Sequence, residues 1–195
     1  MDALVGDARV QQAAPDLAHE RQRAAHEHAG LAGQRQRGHV DPAGPGVAEN
    51  MMSGVVHVKG DASQSAGATG CGGLLIVEGK TSARCGISLK GLDIIVRGSV
   101  GHMSGFMAQA GRIVVLGDAG EALGDSIYEA EIFVRGAVKS LGADCVEKPL
   151  DEETAGRLAD LLARSGVDEV KPQDFRRYGS ARELYHFKPH NVGAY

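Results

Sequence analysis

A glycine that recurs with a constant 19-residue period through the middle of the chain limits the fold more than any other feature. Five short apolar segments end on this glycine, with a valine two positions before it and another aliphatic residue four positions before it. The five glycines are Gly60, Gly79, Gly98, Gly117 and Gly136. A fixed period of this kind indicates a repeat architecture in which each unit packs on its neighbours.

The apolar residues of each unit share one face of a strand, because side chains alternate along a strand. Stacking the units about 4.8 Å apart would bury that face continuously. A second glycine follows seven positions after the first in four units, at Gly67, Gly86, Gly105 and Gly124. Glycine suits corners that need a positive φ or a close approach of backbones. We predict an all-β fold, a right-handed parallel β-helix (β-solenoid) with 19-residue coils, over residues 46–150.

The position between the two inward residues should face outward, yet it is mostly apolar. Its occupants are His57, Ile76, Ile95, Val114 and Phe133. An exposed apolar stripe of this size is typical of an interface, so we expect another layer or a partner to cover it.

The N-terminal segment, residues 1–45, differs in composition from the repeats. It holds five of the eight Gln and four of the eight His in the chain, and it has no sustained apolar stripe. We expect disorder or a loosely held helix here. A second hypothesis is that the segment comes from a shifted reading frame, because its composition is typical of out-of-frame GC-rich coding sequence.

The C-terminal segment, residues 151–195, predicts a helix followed by an aromatic-rich tail. The helix spans 151–165, with acidic residues at its start and Gly166 as its C-cap. We expect it to cap the open end of the solenoid, where a strand edge would otherwise be unpaired. The tail carries five of the eight aromatic residues, and we expect it to pack on the side of the solenoid or on a partner subunit.

Composition excludes several functional classes. The formal net charge of -4 gives no reason to expect a nucleic-acid partner. No apolar run approaches the ~18 residues that indicate a membrane span. The N-terminus lacks the layout of a signal peptide. The three cysteines form no CxxC pair, so we expect reduced thiols and a cytoplasmic protein.

Candidate catalytic and metal-binding groups lack the required spacing. A reactive Cys85 would need a base, which no motif supplies, and the acidic pair Asp125 and Glu129 is typical of solvated turns. The stretches GATGCGG and GSVGHMSG contain no phosphate-binding loop motif. Four His and Cys residues match no standard zinc motif: His57, Cys71, Cys85 and His102. We predict no catalytic, cofactor-binding or metal-binding residue, and a structural role for the corner glycines.

The repeats resemble the GXGXG domain at the C-terminus of the glutamate synthase large subunit, over about residues 46–150. The segments GVAENMMSGVV, GHMSGFMAQAG, GDAGEALGDSIYEA and ELYHFKPHNVGAY look like the stand-alone members of that family. Those members are named GlxC, or the B chain of methylamine–glutamate N-methyltransferase (N-methylglutamate synthase). The N-terminal segment departs from the family pattern.

The resemblance implies a non-catalytic subunit of a heteromeric complex. Its expected partners are an amidotransferase-like subunit and a synthase-like subunit that carries FMN and an iron–sulfur cluster. The expected reaction combines glutamate and methylamine to give N-methylglutamate and ammonia.

Two alternatives remain open at this stage. The chain could belong to a split glutamate synthase or another amidotransferase-linked oxidoreductase. It could also be a free-standing solenoid that binds a ligand along its side. That alternative needs a row of polar or charged residues along one face of the solenoid. The position before each corner glycine is instead mixed in sign and broken by a leucine: Lys59, Glu78, Arg97, Leu116 and Arg135.

Overall fold

A computed structural model of the chain describes residues 42–182 in full and the backbone of residues 37–40. Residues 1–36, residue 41 and residues 183–195 lie outside the described residues. Most of the N-terminal segment and the end of the aromatic tail therefore stay predictions.

Eight strands and one α-helix follow one another along the described chain. They are β1 (Arg37–Val40), β2 (Val55–Val58), β3 (Leu74–Val77), β4 (Lys90–Val96), β5 (Ala110–Val115), β6 (Glu131–Val134), β7 (Cys145–Lys148), α1 (Glu152–Ser165) and β8 (Arg176–Ser180). A short 3₁₀ turn at Pro172–Asp174 precedes β8. No helix within this part of the chain is long and apolar enough to cross a membrane.

The first six strands form a parallel sheet in which neighbours in space are also neighbours in sequence. Val55 pairs with Leu74, Leu74 with Asp93, and Asp93 with Arg112, so the pairing follows the predicted period at each step. A second row of single parallel bridges joins Ala62 to Thr81 on another side of the coil. The predicted parallel β-solenoid is confirmed. Its ladder begins with β1, before the boundary predicted at residue 46.

The interior of the solenoid is closed and aliphatic. The two inward positions of each strand from β3 to β6 are buried, and none of their side chains exposes any surface: Leu75, Val77, Ile94, Val96, Ile113, Val115, Ile132 and Val134. Burying each such side chain contributes about 1.5–3 kcal/mol. Repetition of this row through successive coils lets short strands form a stable core.

Helix α1 covers the outward face of the sheet, and the expectation that it caps the open end is wrong. Leu158, Leu161 and Leu162 belong to one buried cluster with the outward residues Ile95 and Val114. An amphipathic helix buries its apolar face against another apolar surface, and the outward stripe supplies that surface here. The apolar stripe is thus covered by the chain itself.

The ends of α1 are defined by local chemistry. The Asp151 carboxylate accepts a hydrogen bond from the Thr154 N–H at 2.7 Å, which satisfies one of the free donors of the first turn. Gly166 adopts φ 70°, and its N–H bonds back to the helix carbonyls. The C-cap matches the sequence-based expectation, whereas Asp151, predicted as the first residue of the helix, is its N-cap and the helix begins at Glu152.

Strand β8 is inserted near the C-terminal end of the sheet, where β7 is the edge strand. It lies antiparallel between β6 and β7, so β7 does not stack directly on β6. The start of the aromatic tail therefore packs on the solenoid, with Phe175 and Tyr178 buried.

Candidate interaction surface

Two sets of corner glycines are needed for two different reasons. Gly67, Gly86, Gly105 and Gly124 have φ between 65° and 74°, a conformation that costs a residue with a Cβ about 1–2 kcal/mol. Non-glycine residues two positions to either side, such as Arg84 and Ser88, also have positive φ. Glycine is required in this row because an added Cβ on Gly86 would lie 2.5 Å from Ile113 Cδ1.

The second set has ordinary backbone angles and is limited by the coil below. A Cβ on Gly98 would lie 2.6 Å from the carbonyl oxygen of Gly79, and one on Gly136 would lie 2.4 Å from that of Gly117. Gly60 meets only the Pro42 ring, at 3.1 Å. Backbone cannot move aside as a side chain can, so glycine in this row permits the close approach at which successive coils form backbone hydrogen bonds, such as Gly98 N–H to the Gly79 carbonyl at 2.9 Å.

A row of alternating charges lies beside α1 on the outward face. Arg112 makes two hydrogen bonds to the Asp93 carboxylate, at 2.8 and 2.7 Å. These bonds raise the pKa of Arg112. In the next coil Glu131 pairs with Arg177 at 2.7 Å and with Arg157 of the helix at 3.4 Å. The row links three coils, α1 and β8, so its charged groups pair with one another within the chain.

A second row of charged side chains joins the sheet to the residues that follow α1. Glu78 pairs with His57 and lies 2.8 Å from Arg97 Nε, although that N–H is not well aimed for a hydrogen bond. Arg97 also donates to Glu169 and to the Gly166 carbonyl, both at 2.7 Å. Backbone hydrogen bonding, together with Arg97, lowers the pKa of Glu169. Two residues of the row that was considered for ligand binding, Glu78 and Arg97, thus already form ion pairs within this chain.

The residues considered as zinc ligands do not come together. Cys85 lies in the solenoid interior, Cys71 and His102 are exposed, and His57 contacts Glu78. Within residues 42–182, no group of three or more His, Cys, Asp or Glu is arranged to hold a metal ion.

Cys85 is placed as a core residue. Burial raises its pKa to about 11, and a weak contact with the Thr81 hydroxyl opposes that shift only in part. A thiol with so high a pKa is a weak nucleophile at neutral pH.

Asp125 and Glu129, considered as an acid–base pair, have different surroundings. Asp125 accepts hydrogen bonds from the Ser126 hydroxyl at 2.9 Å and from the Ala143 N–H at 3.3 Å, so it ties two coils together. Glu129 is exposed. Asp125 is therefore a corner-stabilising residue and not simply a solvated one.

A shallow cavity of about 390 Å³ lies at the corner of the first coils. Its lining includes Pro45, Glu49, Thr69 and Ser88, and the Thr69 hydroxyl already donates to Asn50 at 2.7 Å. No buried charged side chain points into it among its lining residues. It offers little to orient a ligand.

Exposed apolar side chains concentrate at the C-terminal end of the solenoid. Five large apolar residues of the described chain are exposed, and Met52 is alone in the first coil, at 66% exposure. The other four, at 37–38%, are Met107, Tyr128, Leu141 and Val146. We name these four residues the corner patch, because backbone pairings join their segments in successive coils around Gly124 and Ala143, among them Leu123 with Leu141 and Ser126 with Ala143. Met and Tyr are enriched in protein interfaces, so the patch is the best candidate for an interaction surface.

Comparison with known proteins identifies one informative similarity. The chain is 56% identical over 71 residues to Protein GlxC of Rhizobium meliloti (strain 1021). Over this stretch the chain resembles GlxC. The match covers 36% of the chain and 31% of GlxC, so it spans about a third of that relative. No family model matches, so the GXGXG family assignment is not supported by that comparison, and no solved structure matches.

Sequence reasoning missed the row beside α1, and it noted Glu78 and Arg97 as part of a mixed row without predicting that they pair. The signal for the row beside α1 was present, since Asp93, Arg112 and Glu131 occupy one register position in successive coils with alternating sign. The corner patch had no comparable signal, because its members occupy different register positions.

Proposed function

We propose that this chain is a structural subunit of a glutamate-synthase-like enzyme complex and carries no catalytic group of its own. The finer form of the proposal is a complex that converts glutamate and methylamine to N-methylglutamate and ammonia. The partners would be an amidotransferase-like subunit and a subunit that binds FMN and an iron–sulfur cluster. The observation that carries the proposal is the 56% identity to GlxC over 71 residues, which agrees with the sequence motifs.

The physical character of the chain is consistent with this role. The solenoid interior is filled by aliphatic side chains, and the residues of the two charged rows form ion pairs within the chain. Backbone hydrogen bonds from Gly98 to Gly79 and from Gly136 to Gly117 join successive coils at 2.9 and 3.1 Å. A body of this kind can hold two partners in a constant relative position, which is what a scaffold in a multi-step enzyme must do.

Co-purification tests the proposal. The chain would be tagged and expressed with the products of the genes adjacent to its own, and the eluted complex would be examined for composition, flavin absorbance and iron content. We expect an amidotransferase-like chain and a flavin-containing chain to co-elute in fixed proportion. Elution of the tagged chain alone as a stable monomer would contradict the proposal.

Substrate dependence then separates the reaction classes. Turnover that needs glutamate and methylamine together supports N-methylglutamate formation. Turnover that needs glutamine and 2-oxoglutarate instead would keep the scaffold role and assign the complex to glutamate synthesis. The matched control is the same pair of partners expressed without this chain.

A further inference from the structure

The corner patch surrounds the point at which the described chain ends. The Ala181 N–H donates to the Asp144 carbonyl at 2.7 Å, and the Arg182 guanidinium pairs with the Asp144 carboxylate. Leu141 and Val146 lie within three positions of Asp144 in the sequence. Two of the four patch residues therefore lie next to the last described residue in the fold.

The other two patch residues lie one and two coils further down the same corner. The Ser126 N–H donates to the Ala143 carbonyl at 2.8 Å, and Tyr128 follows Ser126 by two positions. The Met107 N–H donates to the Asp125 carbonyl at 2.9 Å. Adjacent coils are about 4.8 Å apart, so Met107 is roughly 10 Å from the exit of the chain.

The chain that continues from Arg182 has a composition suited to this surface. Its segment 183–195 lies outside the described residues and includes Tyr185, Phe187 and Tyr195. A segment of this length reaches about 45 Å when extended, so distance does not limit access to the patch. Aromatic side chains gain most from burial against apolar surface, and exposed apolar patches normally have an occupant.

We propose that the corner patch is the binding site of residues 183–195 of the same chain. The tethered segment has a high effective concentration at the patch, which favours it over a separate molecule of equal intrinsic affinity. The proposal concerns this chain alone and does not depend on the proposed function.

Substitutions copied from other coils test the proposal without altering the corner. Asn50 occupies the register position of Met107, and Gln109 occupies that of Tyr128. Met107 has φ 52°, a conformation that asparagine tolerates. The double variant Met107→Asn, Tyr128→Gln should therefore fold normally while removing the two patch side chains that lie farthest from the exit of the chain, leaving Leu141 and Val146 in place.

Hydrogen exchange of the amides in 183–195 gives the readout, compared with a free peptide of the same sequence. We expect exchange in the intact chain to be about tenfold slower than in the peptide, and the double variant to approach the peptide rate. Met52→Gln is the matched control, since it removes an exposed Met in the first coil and should leave the protection intact.

Three results would overturn the proposal. The first is exchange at the peptide rate in the intact chain, which would leave the patch to another occupant. The second is protection that survives in the double variant. The third is protection that falls on dilution of the protein, which would mean that a second copy supplies the segment.

Discussion

The substitution Gly86→Ala tests how the corner row holds the coils together. Its φ of 67° would cost alanine about 1–2 kcal/mol. The new Cβ would also lie 2.5 Å from Ile113 Cδ1, and overpacking of this kind costs about 1–3 kcal/mol. We expect the free energy of unfolding to fall by about 2–5 kcal/mol in urea denaturation.

Ile113→Val separates the two contributions, because valine lacks the Cδ1 atom. Alone it should cost about 0.5–1.5 kcal/mol. In the double variant the 2.5 Å contact disappears, while the backbone cost and the 3.3 Å contact with Ile94 Cδ1 remain, so the loss should be smaller than the sum by about 1–3 kcal/mol. Gly98→Ala is the matched control, because its Cβ would meet the Gly79 carbonyl oxygen and not a side chain. Combined with Ile113→Val it should show no coupling beyond about 0.5 kcal/mol.

Two results would refute this reasoning. Additive losses for Gly86→Ala and Ile113→Val would show that the side chain of Ile113 yields without cost. Equal coupling for Gly98→Ala would show that the two glycine rows are not limited by different neighbours.

Three further predictions follow from buried and capping groups. Thr81→Val should raise the free energy of unfolding by about 1 kcal/mol in urea, because the buried Thr81 hydroxyl has no well-formed hydrogen bond and only the Cys85 thiol close to it. Burial raises the pKa of Cys85 to about 11, so the folded state keeps this proton after the unfolded state has lost it. Burial raises the pKa of Cys145 to about 11 as well, so stability should fall by up to ~1.4 kcal/mol per pH unit for each of the two thiols between about pH 9 and 11, and this slope should weaken in Cys85→Ala but not in Cys71→Ser. The Thr154 N–H lowers the pKa of Asp151, so the stability it gives α1 is present above the usual carboxylate pKa of about 4 and is lost as the pH falls further. Asp151→Ala should destabilise the chain at neutral pH and match the wild type in strong acid, near pH ~2, as followed by circular dichroism.

The solenoid could be predicted well from the sequence because a constant repeat interval determines which residues pair between neighbouring coils. The pairings from Val55 with Leu74 onward follow from the 19-residue interval, except that of Lys90 with Ala110, where a bulge shifts the register by one residue. The helix was also predictable, since its caps and its Leu158 face are local features. Its location was not, because an amphipathic pattern shows which face is buried and not what buries it.

Strand β8 shows the same limit more strongly. The sequence RRYGS has no alternating apolar pattern, and its place between β6 and β7 depends on pairing with residues far away along the chain, such as Ile132 and Cys145. The corner patch depends on which surfaces remain after α1 and β8 have packed. Such surfaces follow from the complete fold and not from any local segment.

The most direct test of the central claim is reconstitution of turnover with variants of this chain. Partners would be assayed without the chain, with the wild-type chain, and with His57→Ala, Cys71→Ala, His102→Ala or Asp125→Asn, each checked for normal assembly. A catalytic acid or base contributes about 10²–10⁴-fold to the rate. The account predicts that turnover needs the chain and that every assembled variant retains kcat within about twofold. A loss of about 100-fold in any variant that assembles normally would place catalytic chemistry on this chain and contradict the account.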